Sequence, residues 1–362
     1  MSAHLRSVCA MHAIVPPYLL ARLAAAPIER FPAAVAAARA TLAIPRAYRP
    51  IPADLSLSVD GGALVLAASP TPDRLISDAQ NREQLPGVPT RAEAAPPTGD
   101  AAVDEAYDGL GATFAFFWDA FERVGLDAVG GPLLATVHYG REYDNAFWDG
   151  TRMVFGDGDG EVFTGFTRSV SVIAHELAHG VIEQAGGLDY SGQSGALNES
   201  IADVFGALTE QHLRGQTADE ATWLVGAEIF TDAVTGVALR SLAAPGTAYD
   251  DDVLGKDPQP AHMRDFVHTS GDNGGVHINS GIPNKAFHLV ATALGGFAWE
   301  RAGLIWYRAL TEGDLPATAT FTQFADATTT AAVREYGEDS EEADAVRTAW
   351  IEVGVTGDAL ID

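Results

Sequence analysis

The stretch SVIAHELAHG, residues 171–180, has two histidines four positions apart and a glutamate directly after the first. If this stretch is helical, His175 and His179 lie on one face, one turn apart, and each can direct a ring nitrogen at the same metal ion. Glu176 then lies beside that ion without binding it. This H-E-x-x-H arrangement is typical of a zinc site that carries its own catalytic base. A polar helix without a metal is the alternative that the motif alone leaves open.

A second polar segment, GALNESIADVFGAL at residues 195–208, supplies the ligand that the motif lacks. Hydrolytic zinc sites use three protein ligands and leave the fourth position to water. Glu199 is the candidate third ligand. Asp203, four positions later, would face the same site and hold the N–H of one ligand histidine. Taken singly, Asn198 and Asp203 also fit as surface polar residues, but two helices with carboxylates at this spacing favour the zinc site.

A third segment, GDNGGVHINSGIPNKAFHLV at residues 271–290, is a glycine-rich loop that leads into a helical pattern. Asp272 precedes His277 by five positions, and a carboxylate partner favours a cationic histidine that donates a hydrogen bond. A lone histidine is more often structural, but a His–Asp pair in such a loop favours a functional side chain above the zinc site.

Composition restricts the partners. The 362 residues are 47% hydrophobic, and 49 acidic against 22 basic residues give a net charge of −27. Such a chain repels nucleic acids and anionic membranes, so we expect neither as a partner. The single cysteine excludes an intramolecular disulfide. His12, Pro16 and Pro17 interrupt any signal-peptide core, so we expect a soluble protein that is cytoplasmic or exported by a non-classical route.

The first fifty residues differ from the rest. PPYLLARLAAA at 16–26 and FPAAVAAARATLA at 31–43 predict two short alanine-rich helices with prolines at their starts. Helices this short are marginal alone and need a surface to pack against. A proline-rich link follows at 45–52. We therefore predict a helical segment at 1–50, either an ordinary extension or a removable pro-segment docked on the main body.

The remainder divides into a β-rich and an α-rich part. Strand and turn signals dominate from 54 to about 163, interrupted by one helical pattern at 103–125. The prediction is an α+β fold with a β-rich lobe at 51–185 that ends in the zinc-binding helix, an α-helical lobe at 186–362, and the zinc cleft between them. The helical patterns of the second part lie at 171–184, 198–213, 281–295, 299–312, 320–336 and 340–353.

From about Arg74 to Gly354 the chain resembles the thermolysin-like neutral metallopeptidases. Five blocks carry the resemblance, in the family's order and spacing: YDNAFWDGTRMVFGDGDG, AHELAHGV, LDYSGQSGALNESIADVFG, ALRSL and DNGGVHINSGIPNKA. The N-terminal CAMHAIVPPYLL is similar to the short pro-segment of the protealysin-type branch. The resemblance implies a two-lobed thermolysin-like fold and zinc-dependent hydrolysis of peptide bonds on the N-terminal side of bulky apolar residues.

The resemblance also assigns a role to each matching residue. It implies that three side chains bind zinc and that Glu176 is the general base, which passes a proton from the attacking water to the leaving amine. Two side chains would donate hydrogen bonds to the oxyanion, and Asp272 would orient one of these donors, His277. The implied zinc ligands are His175, His179 and Glu199, and the implied oxyanion donors are Tyr190 and His277.

Further residues match the family's contacts with the peptide. Asn145 and the carbonyl of Ala146 would hold the peptide and its leaving amine. Arg240 would bind the carbonyl beyond the scissile bond. The pocket for the residue after the cut would be lined by Phe163, Val172 and Leu239.

The resemblance is incomplete at the double calcium site of the secreted members. Glu210 persists, but Ser171 stands where an aspartate is expected, and Leu224 and Ala227 stand where carboxylates are expected. The sequence therefore argues against a double calcium site. Weak calcium binding remains open for Asp219, Glu220 and Glu228.

Two non-enzymatic functions remain open beside the peptidase. In a non-catalytic zinc protein, the same ligands could hold two helices together through the metal. Alternatively, a permanently inhibited precursor could act as a binding module. The open fourth position, Glu176 and His277 favour catalysis, because a purely structural zinc site needs none of them.

The N-terminal segment is expected to dock across the cleft and inhibit the uncut chain, with AIVPPYLL near the zinc. Cys9, the only soft ligand outside the predicted triad, could take the fourth zinc position as a thiolate. It could equally be a small buried apolar residue. The expected partners are therefore peptide or protein substrates and the chain's own N-terminal segment.

Overall fold

A computed structural model describes residues 12–44, 58–60, 63–65 and 71–357. In this part of the chain, one mixed sheet and a larger group of helices pack on both sides of the H-E-x-x-H helix. Among the helices described, none is long and apolar enough to cross a bilayer.

The β-rich part is built on a six-stranded sheet. In spatial order its strands are β1 (His12–Ala13), β7 (Ala146–Trp148), β8 (Met153–Phe155), β6 (Leu133–Tyr139), β4 (Arg74–Arg82) and β5 (Val88–Ala92). β6 lies parallel to β4 and β8, and the other neighbours are antiparallel. β2 (Ser58–Asp60) and β3 (Ala63–Val65) form a separate hairpin.

The N-terminal segment packs against the main body. β1 pairs antiparallel with β7, so that His12 lies opposite Trp148. Two helices follow, α1 (Pro17–Ala24) and α2 (Pro32–Ala43), each with a proline in its first turn. Both bury apolar side chains in the main hydrophobic core, which supplies the support that such short helices need. These side chains include Leu19, Leu20, Leu23, Ala34 and Ala38.

α3 (Ala101–Phe121) packs between the sheet and the zinc helix. Asp100 caps its N-terminus by accepting a hydrogen bond from the N–H of Val103. Glycine at position 109 permits close packing, because a Cβ there would lie 2.4 Å from Cδ1 of Ile173 on the zinc helix. The helix predicted at 103–125 is therefore present and positions the back of the zinc helix.

The helical part follows the predicted pattern with two differences. α5 (Gly192–Arg214) begins earlier than predicted, and a π-turn at 299–303 precedes α8 where one continuous helix was expected. The glycine-rich loop predicted before His277 is present, because Asn273, Gly274 and Gly275 have non-helical backbone angles at the start of α6. The helices are α4 (Val170–Gln184), α6 (Asp272–Asn279), α7 (Gly281–Leu294), α8 (Leu304–Glu312), α9 (Phe321–Tyr336) and α10 (Glu341–Glu352).

Close packing of α4 on α5 places the two halves of the zinc motif together. Gly206 of α5 lies against α4, where a Cβ would be 2.6 Å from the carbonyl oxygen of Ser171. A larger residue would therefore push the helices apart. This contact sets the distance between the histidines of α4 and the carboxylates of α5.

Candidate zinc site

Helices α4 and α5 bring the three predicted zinc ligands together. The Nε2 atoms of His175 and His179 lie 3.1 Å apart. Carboxylate oxygens of Glu199 lie 3.5 Å from His175 Nε2 and 3.6 Å from His179 Nε2. In a tetrahedral zinc site with bonds of about 2.0–2.2 Å, ligand atoms are about 3.3–3.6 Å apart. The spacing of these buried side chains therefore fits one zinc ion.

The charges around the ligands also fit a cation. Burial, followed by the charge of Glu199, raises the pKa of Glu176 well above its ordinary value. Oε2 of Glu199 has no hydrogen-bond partner among the described residues. A dication beside both carboxylates would offset their repulsion and bind the unpartnered oxygen. Glu176 is thus buried beside Glu199, as the prediction of a base next to the metal position requires.

A polar side chain of α5 contacts the Nδ1 atom of each predicted ligand histidine. Nδ1 of His175 lies 2.9 Å from the Asp203 carboxylate, and Nδ1 of His179 lies 2.8 Å from Oδ1 of Asn198. Each contact engages Nδ1 and leaves Nε2 to face the metal. Asn198 and Asp203 are both buried, so the alternative of surface positions is wrong. In the sequence, only the position of Asn198 directly before Glu199 indicated that it contacts His179.

His277 and Tyr190 lie on the other side of the ligands. The Tyr190 hydroxyl is 3.2 Å from Nε2 of His277 and donates to Glu199. Oδ1 of Asp272 is 2.6 Å from Nδ1 of His277, and Oδ2 accepts from the His277 N–H at 2.9 Å. Burial alone would lower the pKa of His277, but Asp272 and then Glu199 raise it to about 9. The predicted His–Asp pair is therefore present and favours the imidazolium.

The sequence of α6 explains how Asp272 reaches His277. Asn273, Gly274 and Gly275 have φ values of 51°, 87° and 80°. Asparagine and glycine tolerate this left-handed region better than other residues. The resulting tight turn brings the carboxylate back over the following helical turn, where it contacts both the backbone and the ring of His277.

The N-terminal segment crosses the site at Ala13 and Ile14. The carbonyl oxygen of Ala13 accepts a hydrogen bond from Nε2 of His277 at 3.0 Å. The N–H of Ile14 donates to the carbonyl oxygen of Ala146 at 3.1 Å. The Ala13–Ile14 peptide bond thus lies between the residue predicted to bind the oxyanion and the group predicted to hold the leaving amine.

The next residues of the segment contact the remaining predicted peptide-binding groups. Nη1 of Arg240 donates to the carbonyl oxygen of Ile14 at 2.9 Å. Asn145 holds both main-chain groups of Val15: Oδ1 accepts from its N–H at 2.9 Å, and Nδ2 donates to its carbonyl at 3.1 Å. The side chain of Ile14 is fully buried in the hydrophobic core that also contains the predicted pocket residues Phe163, Val172 and Leu239.

His12 was not predicted as a site residue. Its ring stacks on that of His179 with centroids 4.1 Å apart and meets Tyr190 edge-on at 4.2 Å. Ligand atoms of His12, His179 and Glu199 all lie within 4.8 Å of one another. Burial, followed by the neighbouring histidines, lowers the pKa of His12 to about 3, so the ring is neutral. Cys9, the predicted inhibitory ligand, lies outside the described residues.

An arginine side chain lies among the carboxylates that were considered as calcium ligands. Arg214 pairs with Glu210 at 2.8 Å and with Glu228 at 3.0 Å. The hydroxyl of Ser171 accepts from the N–H of Gly226. The guanidinium thus already neutralises two of the carboxylates considered for calcium. Glu220 instead accepts hydrogen bonds from the N–H and hydroxyl of Thr217.

Comparison with known proteins places this fold and site in a class. A profile described as the thermolysin metallopeptidase catalytic domain matches residues 79–183, and one described as the alpha-helical domain of the same peptidases matches residues 186–355. The chain is therefore a zinc-dependent metallopeptidase. It belongs to the thermolysin metallopeptidase family, which confirms the predicted fold and reaction class.

Individual relatives support this assignment. An extracellular metalloprotease of Pectobacterium carotovorum subsp. carotovorum is 54% identical over 283 residues, 78% of this chain and 81% of the relative. Protease PrtS of Photorhabdus sp. (strain Az29) is 54% identical over 289 residues, 79% and 77% of the two chains. The solved structure of the precursor of protealysin, a metalloproteinase from Serratia proteamaculans, matches with a TM-score of 0.84 and 49% identity, over 95% of this chain and 100% of that one.

Proposed function

We propose that Glu176 is the general base of peptide hydrolysis in this cleft, and that residues 1 to about 50 inhibit the uncut chain by occupying the cleft as a substrate would. The observation that carries the proposal is the position of the Ala13–Ile14 bond. Its carbonyl oxygen is 3.0 Å from His277 Nε2, and its N–H is 3.1 Å from the Ala146 carbonyl. These are the contacts expected for a scissile carbonyl and a leaving amine.

The side chains divide the chemistry among them. A zinc ion held by the three ligands would lower the pKa of the attacking water towards 7. Glu176 takes a proton from that water and delivers it to the leaving nitrogen. His277 and Tyr190 donate hydrogen bonds to the carbonyl oxygen as it gains negative charge. The hydroxyl of Tyr190 now donates to Glu199, so it has to turn towards the carbonyl oxygen before it can act.

The same contacts support selection of the residue after the cut. Ile14 follows the bond in the scissile position, and its side chain is fully buried. Burying an isoleucine side chain contributes about 1.5–3 kcal/mol, whereas a buried charge without a partner is strongly unfavourable. Substrates with a bulky apolar residue at this position are therefore preferred.

The proposal implies three parts of the chain: an inhibitory segment at 1–50, a β-rich lobe at 51–185 and a helical lobe at 186–362. Cleavage within the link at 45–52, which lies outside the described residues, would release the segment. One relative is named an extracellular metalloprotease, and we propose that this enzyme also acts outside the cell.

The test compares the zinc-loaded uncut chain with the chain trimmed in the link, on peptides that differ only in Leu or Asp after the cut position. The trimmed enzyme should cleave before Leu, and the uncut chain should be much slower. Ile14→Asp should activate the uncut chain, whereas Ile28→Asp, at an exposed residue of the same segment, should not. Equal rates for the uncut and trimmed chains would contradict inhibition, and a trimmed, zinc-loaded chain without peptidase activity would contradict the catalytic assignment.

A further inference from the structure

The ring of His12 lies among the zinc ligands although it belongs to the N-terminal segment. Only 7% of the residue is exposed. Its Nδ1 atom has no hydrogen-bond partner in the described part of the chain. A buried polar atom without a partner is unfavourable, so the position of His12 calls for an interaction besides ring stacking.

A metal ion is the partner that the surroundings provide. Ligand atoms of His12, His179 and Glu199 lie within 4.8 Å of one another, while those of a tetrahedral site are about 3.3–3.6 Å apart. The His12 ring now stacks on that of His179, and turning it so that a nitrogen faces Glu199 and Nε2 of His179 would add a fourth side chain to the predicted ligands. The pairing of β1 with β7 and the hydrogen bond from His277 to Ala13 hold the main chain in place while the ring turns.

We propose that His12 binds the zinc ion of the uncut chain as a fourth protein ligand and thereby protects the Ala13–Ile14 bond from hydrolysis. This inference rests on the proposed function, because it assumes that the segment lies in the cleft as a substrate does. Catalytic zinc sites leave the fourth position to water. A side chain in that position removes the attacking water while every contact with the peptide is kept.

The proposal explains how a segment can bind in the orientation of a substrate and still inhibit. Without the His12 imidazole, one water molecule would enter the site. Its oxygen would add to the carbonyl carbon of Ala13, Glu176 would pass the two water protons in turn to the Ile14 nitrogen, and the bond between that carbon and the nitrogen would then break. The products would be a carboxylate on Ala13 and a new amino terminus at Ile14. Replacing His12 should therefore convert the inhibitor into a substrate.

The first experiment counts the imidazoles bound to zinc. X-ray absorption at the zinc edge is measured on the uncut chain in a Glu176→Gln background, which prevents self-cleavage. Three imidazoles are expected, and His12→Phe, which keeps a ring to pack on His179 and Tyr190, should reduce the number to two. Arg30→Ala, which removes an exposed ion pair of the same segment with Asp252, should keep three. Two imidazoles before any change at His12 would overturn the proposal.

The second experiment follows the bond itself. The uncut chain with Glu176 intact and His12→Ala should lose its first 13 residues, detected by mass spectrometry as a new amino terminus at Ile14. The same variant with Glu176→Gln should stay whole. The trimmed enzyme is given an Ala–Ile peptide, and the time it needs for cleavage is measured. If the Ala13–Ile14 bond of the zinc-loaded His12→Ala chain is still intact after that time, His12 does not protect the bond.

The two proposals fail in different ways. A trimmed, zinc-loaded enzyme that cleaves no peptide would contradict the catalytic assignment, whatever His12 does. A trimmed enzyme that is active, beside an uncut chain with only two zinc-bound imidazoles, would overturn the role of His12 alone. Zinc content and thermal unfolding of both His12 variants exclude misfolding as the cause of either result.

Discussion

Asp203 joins His175 to Arg240: one of its carboxylate oxygens lies 2.9 Å from Nδ1 of His175 and 2.8 Å from Nη2 of Arg240. All three side chains are buried. Burial alone would raise the pKa of Asp203, but Arg240 and His175 lower it, so the carboxylate stays ionised. One side chain thus contacts a predicted zinc ligand and also positions the guanidinium that donates to the carbonyl oxygen of Ile14.

Asp203→Asn should therefore weaken metal binding and peptide binding together. Loss of such a partner typically lowers metal affinity by about 10–100-fold, and KM should rise because Arg240 loses its charged partner. Zinc titration against a chelator, with peptide kinetics on the trimmed enzyme, measures both effects. Asp326→Asn, at an exposed position of α9, is the matched control and should change neither. Unchanged zinc affinity in Asp203→Asn would remove the orienting role.

Glu176→Gln should separate metal binding from turnover. The amide keeps the shape of the side chain but cannot accept a proton, so kcat should fall by about 10²–10⁴-fold. Zinc should stay bound, because the three ligand side chains are unchanged. Metal analysis beside a peptide assay checks both statements. His179→Ala serves as the contrast, since it removes a ligand and should lose the zinc itself.

The parts of the site that could be predicted are those encoded by short spacings. His175 and His179 meet because residues four apart share a helix face, and this holds wherever the helix packs. Asp272 and His277 are likewise close in the chain. Predicting Glu199 as a ligand required a second helix. The spacing of Glu199 and Asp203 indicated which face of that helix points to the zinc site. In each case local geometry and the chemistry of zinc were sufficient.

His12 could not be predicted in the same way, because its contact with His179 depends on how the N-terminal segment docks. The start of α5 depends on tertiary contact as well. The predicted helical pattern begins at 198, whereas α5 begins at Gly192. A Cβ at Gly195 would lie 2.4 Å from Cγ1 of Val276, so glycine there serves close packing. Both the position of His12 and the start of α5 depend on tertiary contacts, which the spacing of residues along the chain does not reveal.

Asp272→Asn should shift the pH dependence of the trimmed enzyme. Asp272 is the largest influence that raises the pKa of His277, to about 9 against an ordinary value of 6.5. The imidazolium is therefore kept up to about pH 9 and is lost as the pH rises through that value. Without the carboxylate the pKa falls, so the alkaline limb of kcat/KM should move to lower pH. An unchanged limb would show that Asp272 does not control the charge of His277.

His277→Ala should lower the rate without removing the metal. Loss of one oxyanion donor costs about 10²–10³-fold in kcat, and His277 is not among the zinc ligands. Zinc content measured alongside kcat tests this directly. A variant of normal rate would exclude His277 from stabilising the carbonyl oxygen, whereas loss of zinc would indicate a role in holding the ligands.

Calcium should have little effect on stability. The Arg214 guanidinium lies between Glu210 and Glu228, and a calcium ion needs six to eight oxygen ligands. The melting temperature should therefore change little between chelator and millimolar calcium. An increase of many degrees would reveal ligands that this arrangement does not supply, and Arg214→Ala measured in the same way would show whether the arginine excludes the ion.

Glu161 should control how tightly the N-terminal segment is held. Its Oε2 atom accepts from the N–H groups of Ala33 and Ala34, at 2.9 and 3.0 Å, in the first turn of α2. A carboxylate at a helix N-terminus stabilises it through these N–H groups and the helix dipole, by about 1–2 kcal/mol. Glu161→Ala should therefore raise the fraction of undocked chain, and with it the activity of the uncut chain, by about 5–30-fold. After trimming, the variant and the original should have equal kcat/KM, because Glu161 then has no segment to hold; a difference that persists would place its effect in the catalytic body instead.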